Sequence, residues 1–412
     1  MTAFSISPDS RRATAKPRDE AFFQNPYAFY SALHRGTPTF LWEDYGHWCF
    51  TGFKDVNGLL RDKRFGREIL HVMSREELGW GPPKQHTAAF DLTEKYSLLA
   101  LEPPAHTRLR TLVNRAFVSR HVEQLRPRIE RLANEIIDGF EADGGTELIK
   151  SFAAPIPAVV IAEMIGLPAE MAPQLLNWSN RMVQMYMFGV TRETELDANK
   201  ASEDFMAYLR EVIAERRRMP KEDLLTHMLM ADPVDGQKLN EDEVVSTAIL
   251  LLNAGHEATV HTSGNAVKTI LESGLDPRAL FADEKQTEAT VEECLRFDAP
   301  LHMFTRYALS DLDYEGLSFR KGEVIGLLLG AANRDPVRFK DADSFDPFRT
   351  DGQNVSFGAG IHFCIGAPLA RIELQVALRT LFERLPRLKL ASEPRYNNVY
   401  HFHGLERLDV SW

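Results

Sequence analysis

Residues 357–371 of this chain read Phe-Gly-Ala-Gly-Ile-His-Phe-Cys-Ile-Gly-Ala-Pro-Leu-Ala-Arg, and they place one cysteine, Cys364, just before an apolar run. Gly358 and Gly360 permit backbone turns that residues with a Cβ avoid, so the loop before the cysteine can curl tightly. The run from Ile365 to Leu378 predicts a helix directly after the cysteine. At a helix N-terminus the dipole and the unbonded N–H groups favour a thiolate over a thiol. The pattern therefore predicts a sulfur that acts as a ligand or a nucleophile.

Four interpretations of Cys364 are open on these residues alone. A buried structural thiol is the commonest fate of a lone cysteine, but it does not explain the glycines, His362 or Phe357. A cysteine nucleophile with His362 as its base is disfavoured, because such partners normally meet across the fold. Zinc or an iron–sulfur cluster would need further cysteines within ligand spacing, and the sequence has none there. The fourth interpretation is a haem whose iron is bound by the thiolate.

The same residues resemble the haem-binding signature of the cytochromes P450, a Phe-Gly-x-Gly-x-His-x-Cys-x-Gly pattern followed by Leu-Ala-Arg. The resemblance implies that Cys364 is the axial iron ligand of heme b, iron protoporphyrin IX. It also implies that Phe357 shields the sulfur, that Gly358 belongs to the cofactor-binding loop, and that His362 hydrogen-bonds a haem propionate.

Composition narrows the class of protein. A chain of 412 residues that is 44% hydrophobic can bury a large core. The net charge of -11 argues against a nucleic-acid partner, because phosphate backbones select basic surfaces. The three cysteines, Cys49, Cys294 and Cys364, are widely spaced and odd in number, which fits a reducing compartment. No uncharged apolar run is long enough to span a membrane. The chain resembles the soluble, bacterial members of that family, and we expect a cytoplasmic monomer.

The resemblance implies a mainly α fold with a small β region, in which a single large haem domain is built round a long central helix. We predict that residues 1–20 form a disordered polar tail rather than a transit peptide, and that residues 21–412 form the haem domain. Within it, residues 37–49 look like a β-hairpin, and residues 64–104 look like a long functional loop with little regular structure.

Three cationic side chains match the family's propionate partners. His106 and Arg110 are four residues apart on a helix that opens after two prolines, so they share one face. On the residues alone this is a solvated basic face, but the family's Pro-Pro-x-His-x-x-x-Arg pattern implies that both bind haem propionates. Arg306, on an extended segment after Pro300, matches a third propionate partner. Charge-assisted bonds of this kind offset the cost of burying carboxylates.

A long helix is predicted from Asn240, which can cap it with Glu243, to about Ser273. At 1.5 Å per residue it would be about 50 Å long. Its midpoint, residues 253–259, is polar and contains a glycine, which costs about 1 kcal/mol in a helix interior. A functional role is the expected compensation.

That midpoint resembles the family's oxygen-binding Ala-Gly-x-(Asp/Glu)-Thr motif. The resemblance implies that Ala254 and Gly255 leave room for O2 and that Glu257 relays protons. The usual alcohol position holds Ala258, and Thr259 lies about 100° further round the helix, so Thr259 cannot simply inherit the catalytic role. A water held by Glu257, or a substrate hydroxyl, would then complete the relay.

Glu293 and Arg296 match the family's Glu-x-x-Arg. Taken alone, an acid and a base three residues apart form a surface ion pair worth a few tenths of a kcal/mol. The resemblance implies instead a buried, structural pair that is tied to the loop before the cysteine.

The function that the resemblance implies is a haem-thiolate monooxygenase. It would insert one oxygen atom from O2 into an apolar small organic substrate, by hydroxylation or O-dealkylation, with electrons from a separate ferredoxin and ferredoxin reductase. Arg108, Arg115 and Arg371 are candidate docking residues for that partner. Two alternatives remain. One is a peroxide-using peroxygenase, against which Glu257 argues and which Ala258 weakly favours; the other is a non-enzymatic haem sensor or ligand carrier.

Overall fold

A computed structural model describes residues 4–114, 122–187, 189–231 and 238–412. The helices in these residues are α1 (Glu20–Phe23), α2 (Tyr27–His34), α3 (Phe53–Leu59), α4 (Ala88–Lys95), α5 (Ala105–Asn114), α6 (Arg126–Asp138), α7 (Pro155–Ile165), α8 (Ala172–Val183), α9 (Arg192–Arg218), α10 (Leu224–Met230), α11 (Glu241–Ser273), α12 (Pro277–Leu280), α13 (Glu284–Phe297), α14 (Leu329–Ala332) and α15 (Ala367–Arg384).

The strands in the same residues are β1 (Ser5–Ser7), β2 (Arg12–Thr14), β3 (Thr39–Trp42), β4 (His47–Phe50), β5 (Phe65–Gly66), β6 (Gly145–Glu147), β7 (Met303–Ala308), β8 (Leu312–Tyr314), β9 (Leu317–Phe319), β10 (Val324–Leu328), β11 (Lys389–Leu390), β12 (Arg395–Tyr396), β13 (Leu405–Arg407) and β14 (Asp409–Ser411). The predicted mainly α fold with a small β region is confirmed.

The chain divides into two compact units, and each is assembled from distant segments. Unit 1 comprises Met1–Gly66, Arg126–Ala153 and Ala258–Trp412, and unit 2 comprises Arg67–Leu125 and Ala154–Glu257. Residues 21–412, which the sequence analysis treats as one domain, therefore include segments of both units. The sequence shows no linker at their limits, because the division at Glu257 falls inside the continuous helix α11.

Unit 1 holds a sheet whose strands lie in the order β1-β2-β3-β4-β10-β7-β5. β3 and β4 are antiparallel and join through a turn at Gly46, whose φ is +72°, so the predicted hairpin is confirmed. β10 runs parallel to β4 and antiparallel to β7. This arrangement places β7, which carries Arg306, inside the sheet.

The predicted disordered tail is wrong for residues 5–14, which form β1 and β2. These strands pair with each other, and β2 also pairs with β3. Ala13 and Ala15 are buried against Phe22 and Trp42, and the Trp42 indole donates a hydrogen bond to the Ala15 carbonyl at 3.1 Å. Strand pairing and the burial of these small side chains outweigh the polar composition of the segment.

Unit 2 is helical in its described residues. The segment 64–104, predicted to have little regular structure, contains β5, at the end of a unit 1 segment, and the helix α4 in unit 2. The Asn199 side chain accepts hydrogen bonds from the backbone N–H groups of Ala89 and Phe90, at 2.8 and 3.3 Å, and so fixes the first turn of α4. That bond comes from a residue about 110 positions away, so local periodicity could not indicate it.

The helix α11 has 33 residues and confirms the predicted central helix. Its predicted capping box also forms: Glu243 N–H donates to Asn240 Oδ1, and Asn240 N–H donates to Glu243 Oε2, both at 2.9 Å. Beyond Ser273, Gly274 has a φ of +69° and ends the helix. Within the part of the chain that the structure describes, every helix is too short or too polar to cross a membrane.

Candidate functional site

The cysteine loop, residues 357–366, brings Cys364 to the start of α15. Cys364 N–H donates to the Phe357 carbonyl at 3.0 Å, which closes the loop on itself. Gly366 precedes α15 and Pro368 lies in its first turn. The first N–H groups of a helix have no intrahelical acceptor, so they favour negative charge on a sulfur placed there.

Both glycines of the cysteine loop adopt the left-handed conformation that the sequence predicts, with φ of +68° at Gly358 and +72° at Gly360. A Cβ on Gly360 would lie 2.4 Å from the Leu60 carbonyl oxygen, and a Cβ on Gly358 would lie 3.3 Å from the Phe304 ring. Gly358 therefore lets the cysteine loop lie directly against β7.

The sulfur of Cys364 differs in environment from the other two thiols. Cys49 and Cys294 are buried, and burial raises the pKa of both thiols well above the ordinary value. Those two cysteines remain thiols at neutral pH. Cys364 is partly exposed beside a helix N-terminus, so it is the cysteine suited to ligation or reaction.

Phe357 lies beside the loop as the sequence predicts. Its ring centroid is 6.3 Å from that of Phe363, and the Arg371 guanidinium lies 4.5 Å from the Phe357 ring centre. Phe363 and Ile361 remain about two-fifths exposed. The loop thus presents apolar surface next to the cysteine.

The predicted Glu293–Arg296 pair is buried and bidentate, with both N–O distances at 2.7 Å. Arg296 also donates to the carbonyls of Asn333 and Ala342 at 2.8 Å. The sequence analysis missed Arg349, whose Nε lies 2.8 Å from Glu293 Oε2. This acid pairs with the buried Arg296 and the half-buried Arg349, and so holds the segment before the cysteine loop; the ion-pair cluster is structural.

Arg306 is buried on β7, and one of its nitrogens donates to the Thr305 carbonyl at 2.8 Å. Its guanidinium carbon lies 5.9 Å from the Phe304 ring centre, and Phe304 is the residue that packs against Gly358. The sheet therefore holds a buried cation on the strand that abuts the cysteine loop. His362 lies in the loop itself and is half-buried.

In unit 2, the other two predicted propionate partners lie one turn apart on α5. His106 is buried, and Arg110 is half-buried with its Nε donating to Asn114 Oδ1 at 3.0 Å. Residues 105–114 form a helix, so the two side chains, four residues apart, lie on one face of it as predicted.

Unit 2 also contains the first part of the polar segment in α11. A Cβ on Gly255 would lie 3.7 Å from Ile161 Cδ1, which is an ordinary contact, so the packing there does not require a glycine. His256 is buried, with Nε2 at 3.2 Å from the Ala154 carbonyl. Ala254 and Glu257 are not buried.

Unit 1 contains Ala258 and Thr259. The Thr262 hydroxyl donates to the Ala258 carbonyl at 2.7 Å, and the Ser263 hydroxyl donates to the Thr259 carbonyl at 2.9 Å. Thr259 is buried. The carbonyls of the two residues after Glu257 thus accept hydrogen bonds from hydroxyl groups one helical turn further on. These two residues are the ones at which the sequence departs from the usual motif.

The side chains present fit a haem. A partly exposed cysteine at a helix N-terminus offers the soft anionic donor that an iron ligand requires. A buried guanidinium on the adjoining strand offers a charge-assisted partner for a carboxylate.

Two of the predicted docking arginines already have carboxylate partners within their own unit. Arg108 pairs with Glu243, and Arg371 pairs with Glu292. Arg115 lies outside the described residues. Each of the two described arginines therefore presents less positive charge than the sequence suggests.

Comparison with known proteins agrees with the geometry. The family model described as "Cytochrome P450" matches residues 68–272 and 282–399. A "Biotin biosynthesis cytochrome P450" of Bacillus subtilis is 37% identical over 396 residues, which cover 95% of this chain and 97% of that protein. A "Polyketide biosynthesis cytochrome P450 PksS" of the same organism is 34% identical and covers 96% of this chain and 98% of its own length.

A solved structure gives the same result. The crystal structure of P450BioI, in complex with an acyl carrier protein that carries hexadec-9Z-enoic acid, matches with a TM-score of 0.86 and 35% identity. The match covers 95% of this chain and 99% of that chain.

Proposed function

The chain belongs to the cytochrome P450 family and is a haem-binding monooxygenase, and from this premise we propose that it inserts one oxygen atom from O2 into a C–H bond of an apolar small organic substrate. Hydroxylation and O-dealkylation are the two outcomes of that insertion. The observation that carries the proposal is Cys364, which sits at the start of α15 in a loop held by two left-handed glycines.

We propose that Cys364 binds the haem iron and that Phe357 shields the sulfur from water. His106, Arg110, Arg306 and His362 would bond the haem propionates, and the burial of Arg306 supports a carboxylate partner for it. Gly358 keeps the loop close to β7. When bound, the haem supplies the activation of O2, and thiolate donation assists O–O cleavage.

Ala254 and Gly255 would leave space for O2. A Cβ on Gly255 would make only ordinary contacts, so packing does not explain the glycine, and this supports a functional role for it. The Glu257 carboxylate would take up a proton from water and release it into the site. Thr259 would not take the place of the usual alcohol directly, because its side chain lies about 100° further round the helix than the position of Ala258. A water or a substrate hydroxyl would take the place of the alcohol that Ala258 lacks.

Two of the similar proteins indicate a class of substrate. One is bound to an acyl carrier protein that carries a fatty acid, and another belongs to polyketide biosynthesis. Both point to apolar, acyl-type chains, and we propose this class for the present protein.

We propose a ferredoxin and its reductase as electron donors. The exposed Ile361 and Phe363 beside the cysteine support an apolar contact for the partner, and the Arg371–Glu292 pair leaves less charge there than the sequence suggested. The three free cysteines support a reducing compartment, so we propose the cytoplasm.

The test uses purified protein expressed with ample haem precursor. The reduced, carbon-monoxide-bound spectrum should show the absorption band of a thiolate-ligated haem, and Cys364→Ser should lose it. Cys294→Ser, which changes a buried thiol, is the matched control and should keep the band. A spectrum that Cys364→Ser leaves unaltered would contradict the assignment of the ligand.

Peroxide use is a second candidate, because Ala258 replaces the alcohol of the usual motif. Hydrogen peroxide alone, without reductant or redox proteins, would then drive product formation. Product that forms only with reduced nicotinamide, ferredoxin and reductase supports the monooxygenase.

A further inference from the structure

Asn253 is a buried polar side chain on α11 to which the proposed function gives no role. Only 8% of its surface is exposed, and within the described residues its Oδ1 has no hydrogen-bond partner. Its Nδ2 contacts Met182 Sδ on α8 at 4.0 Å, and a thioether sulfur is a weak acceptor. Both ends of this carboxamide therefore keep hydrogen-bonding capacity that the neighbouring side chains do not use.

The other two buried asparagines in the described part of the chain are anchored to the backbone or to a side-chain oxygen. Asn265, also on α11, donates from Nδ2 to two backbone carbonyls at 2.8 and 3.3 Å. Asn333 donates to the Ser356 hydroxyl at 2.7 Å and accepts from the Val355 N–H at 2.8 Å. These two asparagines have structural bonds that account for their burial, and Asn253 does not.

An asparagine at position 253 is costly for folding. A buried polar group without a partner gives up its bonds to water and gains none in return. Asparagine is also among the weaker helix formers. The four residues before it, 249–252, are all aliphatic, so a leucine at 253 would continue the pattern of the helix. We therefore expect the carboxamide to find its partner in a bound molecule.

Asn253 lies beside a face of α11 that remains accessible. Leu250, Ala254 and Glu257 share this face, because they are four and three residues apart. Ala254 is exposed and the other two are partly exposed, although all three lie well inside a helix of 33 residues. Asn253 precedes Glu257 by four residues, so it lies one turn away and about 40° round the helix. A molecule that lies along this face and reaches Glu257 would pass close to the carboxamide.

Met182 allows such a molecule to approach Asn253. Its side chain is fully buried and contacts the carboxamide within unit 2. A methionine side chain is unbranched and changes its rotamer easily, so it can repack around a bound chain. The contact that would be lost is a long one to a weak acceptor, whereas a hydrogen bond to Oδ1 would be gained.

We propose that Asn253 determines specificity: among the acyl-type chains proposed above, it selects those that carry a hydroxyl group where the chain lies against this part of α11. This inference rests on the proposed function, since it defines the polarity of the same substrate. A hydroxyl group can donate to Oδ1 and can also accept from Nδ2. A plain hydrocarbon chain would leave Oδ1 unpaired, and a ketone would do so too because it only accepts. A carboxylate is disfavoured, since its charge would lie near the Glu257 carboxylate.

The test measures binding to the haem-loaded protein by equilibrium dialysis, which does not depend on turnover. The probes are dodecanoic acid and the set of its monohydroxy isomers. We expect at least one isomer to bind wild type about tenfold or more tightly than dodecanoic acid, and Asn253→Leu to reduce that ratio to about one. Leu250→Val is the matched control. It changes the packing on the same face without altering a hydrogen-bonding group, so it should keep the ratio.

Urea unfolding separates a loss of selectivity from a loss of folding. Asn253→Leu should raise the urea midpoint, because it removes an unpaired buried polar group. Asn265→Leu, the same change on the same helix, should lower the midpoint because it breaks two hydrogen bonds to backbone carbonyls. A lower midpoint for Asn253→Leu would overturn the proposal, since the carboxamide would then be bonded within the fold.

Two binding results would also overturn the proposal. One is wild-type protein that binds no hydroxy isomer more tightly than dodecanoic acid, and the other is an Asn253→Leu variant that keeps the preference. The reduced, carbon-monoxide-bound spectrum should be the same in wild type and Asn253→Leu. That spectrum tests the proposed function separately, so a failure of haem ligation is distinguishable from a failure of substrate selection.

Discussion

Glu373 on α15 is a buried acid that makes the stability of the protein depend on pH. Its side chain is 3% exposed, and Oε1 has no hydrogen-bond partner within the described residues. Burial raises the pKa of this carboxyl to about 8 from an ordinary value of 4.5. The acid lies nine residues after Cys364, so a change in its charge bears on the helix that positions the sulfur.

The sign follows from proton binding. Between pH 4.5 and about 8 the folded chain holds a proton that the unfolded chain loses, so the free energy of unfolding falls as pH rises through this window. Each pKa unit is worth about 1.4 kcal/mol, so this group alone lowers the free energy of unfolding by about 3–4 kcal/mol between pH 5 and pH 8. Glu373→Gln removes the titration.

The assay is urea unfolding of the haem-loaded protein at pH 5, 6, 7 and 8, monitored by circular dichroism. Glu373→Gln should be close to wild type at pH 5 and more stable by about 3–4 kcal/mol at pH 8. Glu383→Gln is the matched control, because Glu383 lies on the same helix but is exposed and pairs with Arg379. Parallel pH profiles for wild type and Glu373→Gln would refute the reasoning.

Three further variants test the site and its scaffold. Glu257→Gln should slow O2-dependent turnover by about 100-fold and leave the reduced carbon-monoxide spectrum unchanged; equal turnover would remove this acid from proton delivery. Glu293→Gln should lower the free energy of unfolding by about 3–5 kcal/mol, measured in urea, because it leaves the buried Arg296 without its acid and removes one of the two carboxylates that pair with Arg349. Gly360→Ala should cost at least about 1 kcal/mol more than Gly316→Ala in the same assay, since both have positive φ but only the first would strike the Leu60 carbonyl.

Sequence patterns a few residues long were enough to predict the helix caps and turns of the fold. The cap at Asn240, the hairpin turn at Gly46 and the left-handed glycines of the cysteine loop each depend on residues a few positions apart. The buried state of Glu293 and Arg296 is different: their spacing alone indicates a surface pair, and only the resemblance implied burial. Their partners lie about 40 to 60 residues further along the chain.

Features that depend on distant contacts were not predictable from patterns. The strand β2 forms because residues 12–13 pair with residues 41–42, and its own composition is polar. Tyr27, Asp298, His302 and His403 form a buried cluster in unit 1, and no sequence window contains these residues together. Two histidines and an aspartate scattered in this way give no spacing signal, so only the folded chain shows that they meet.

The departure at Ala258 constrains how a proton can reach the site. In α11 the hydroxyl of Thr259 lies about 100° from the position that Ala258 occupies, and its backbone carbonyl is held by the Ser263 hydroxyl. A threonine at Ala258 would add a hydroxyl group one residue after Glu257, whereas the alanine leaves that volume to water or to the substrate. If the substrate supplies the hydroxyl, turnover should depend on it: analogues that lack the group should consume reduced nicotinamide yet yield peroxide, and Ala258→Thr should restore product from them. Product from the hydroxyl-free analogues in the unaltered enzyme would instead assign the relay to water held by Glu257.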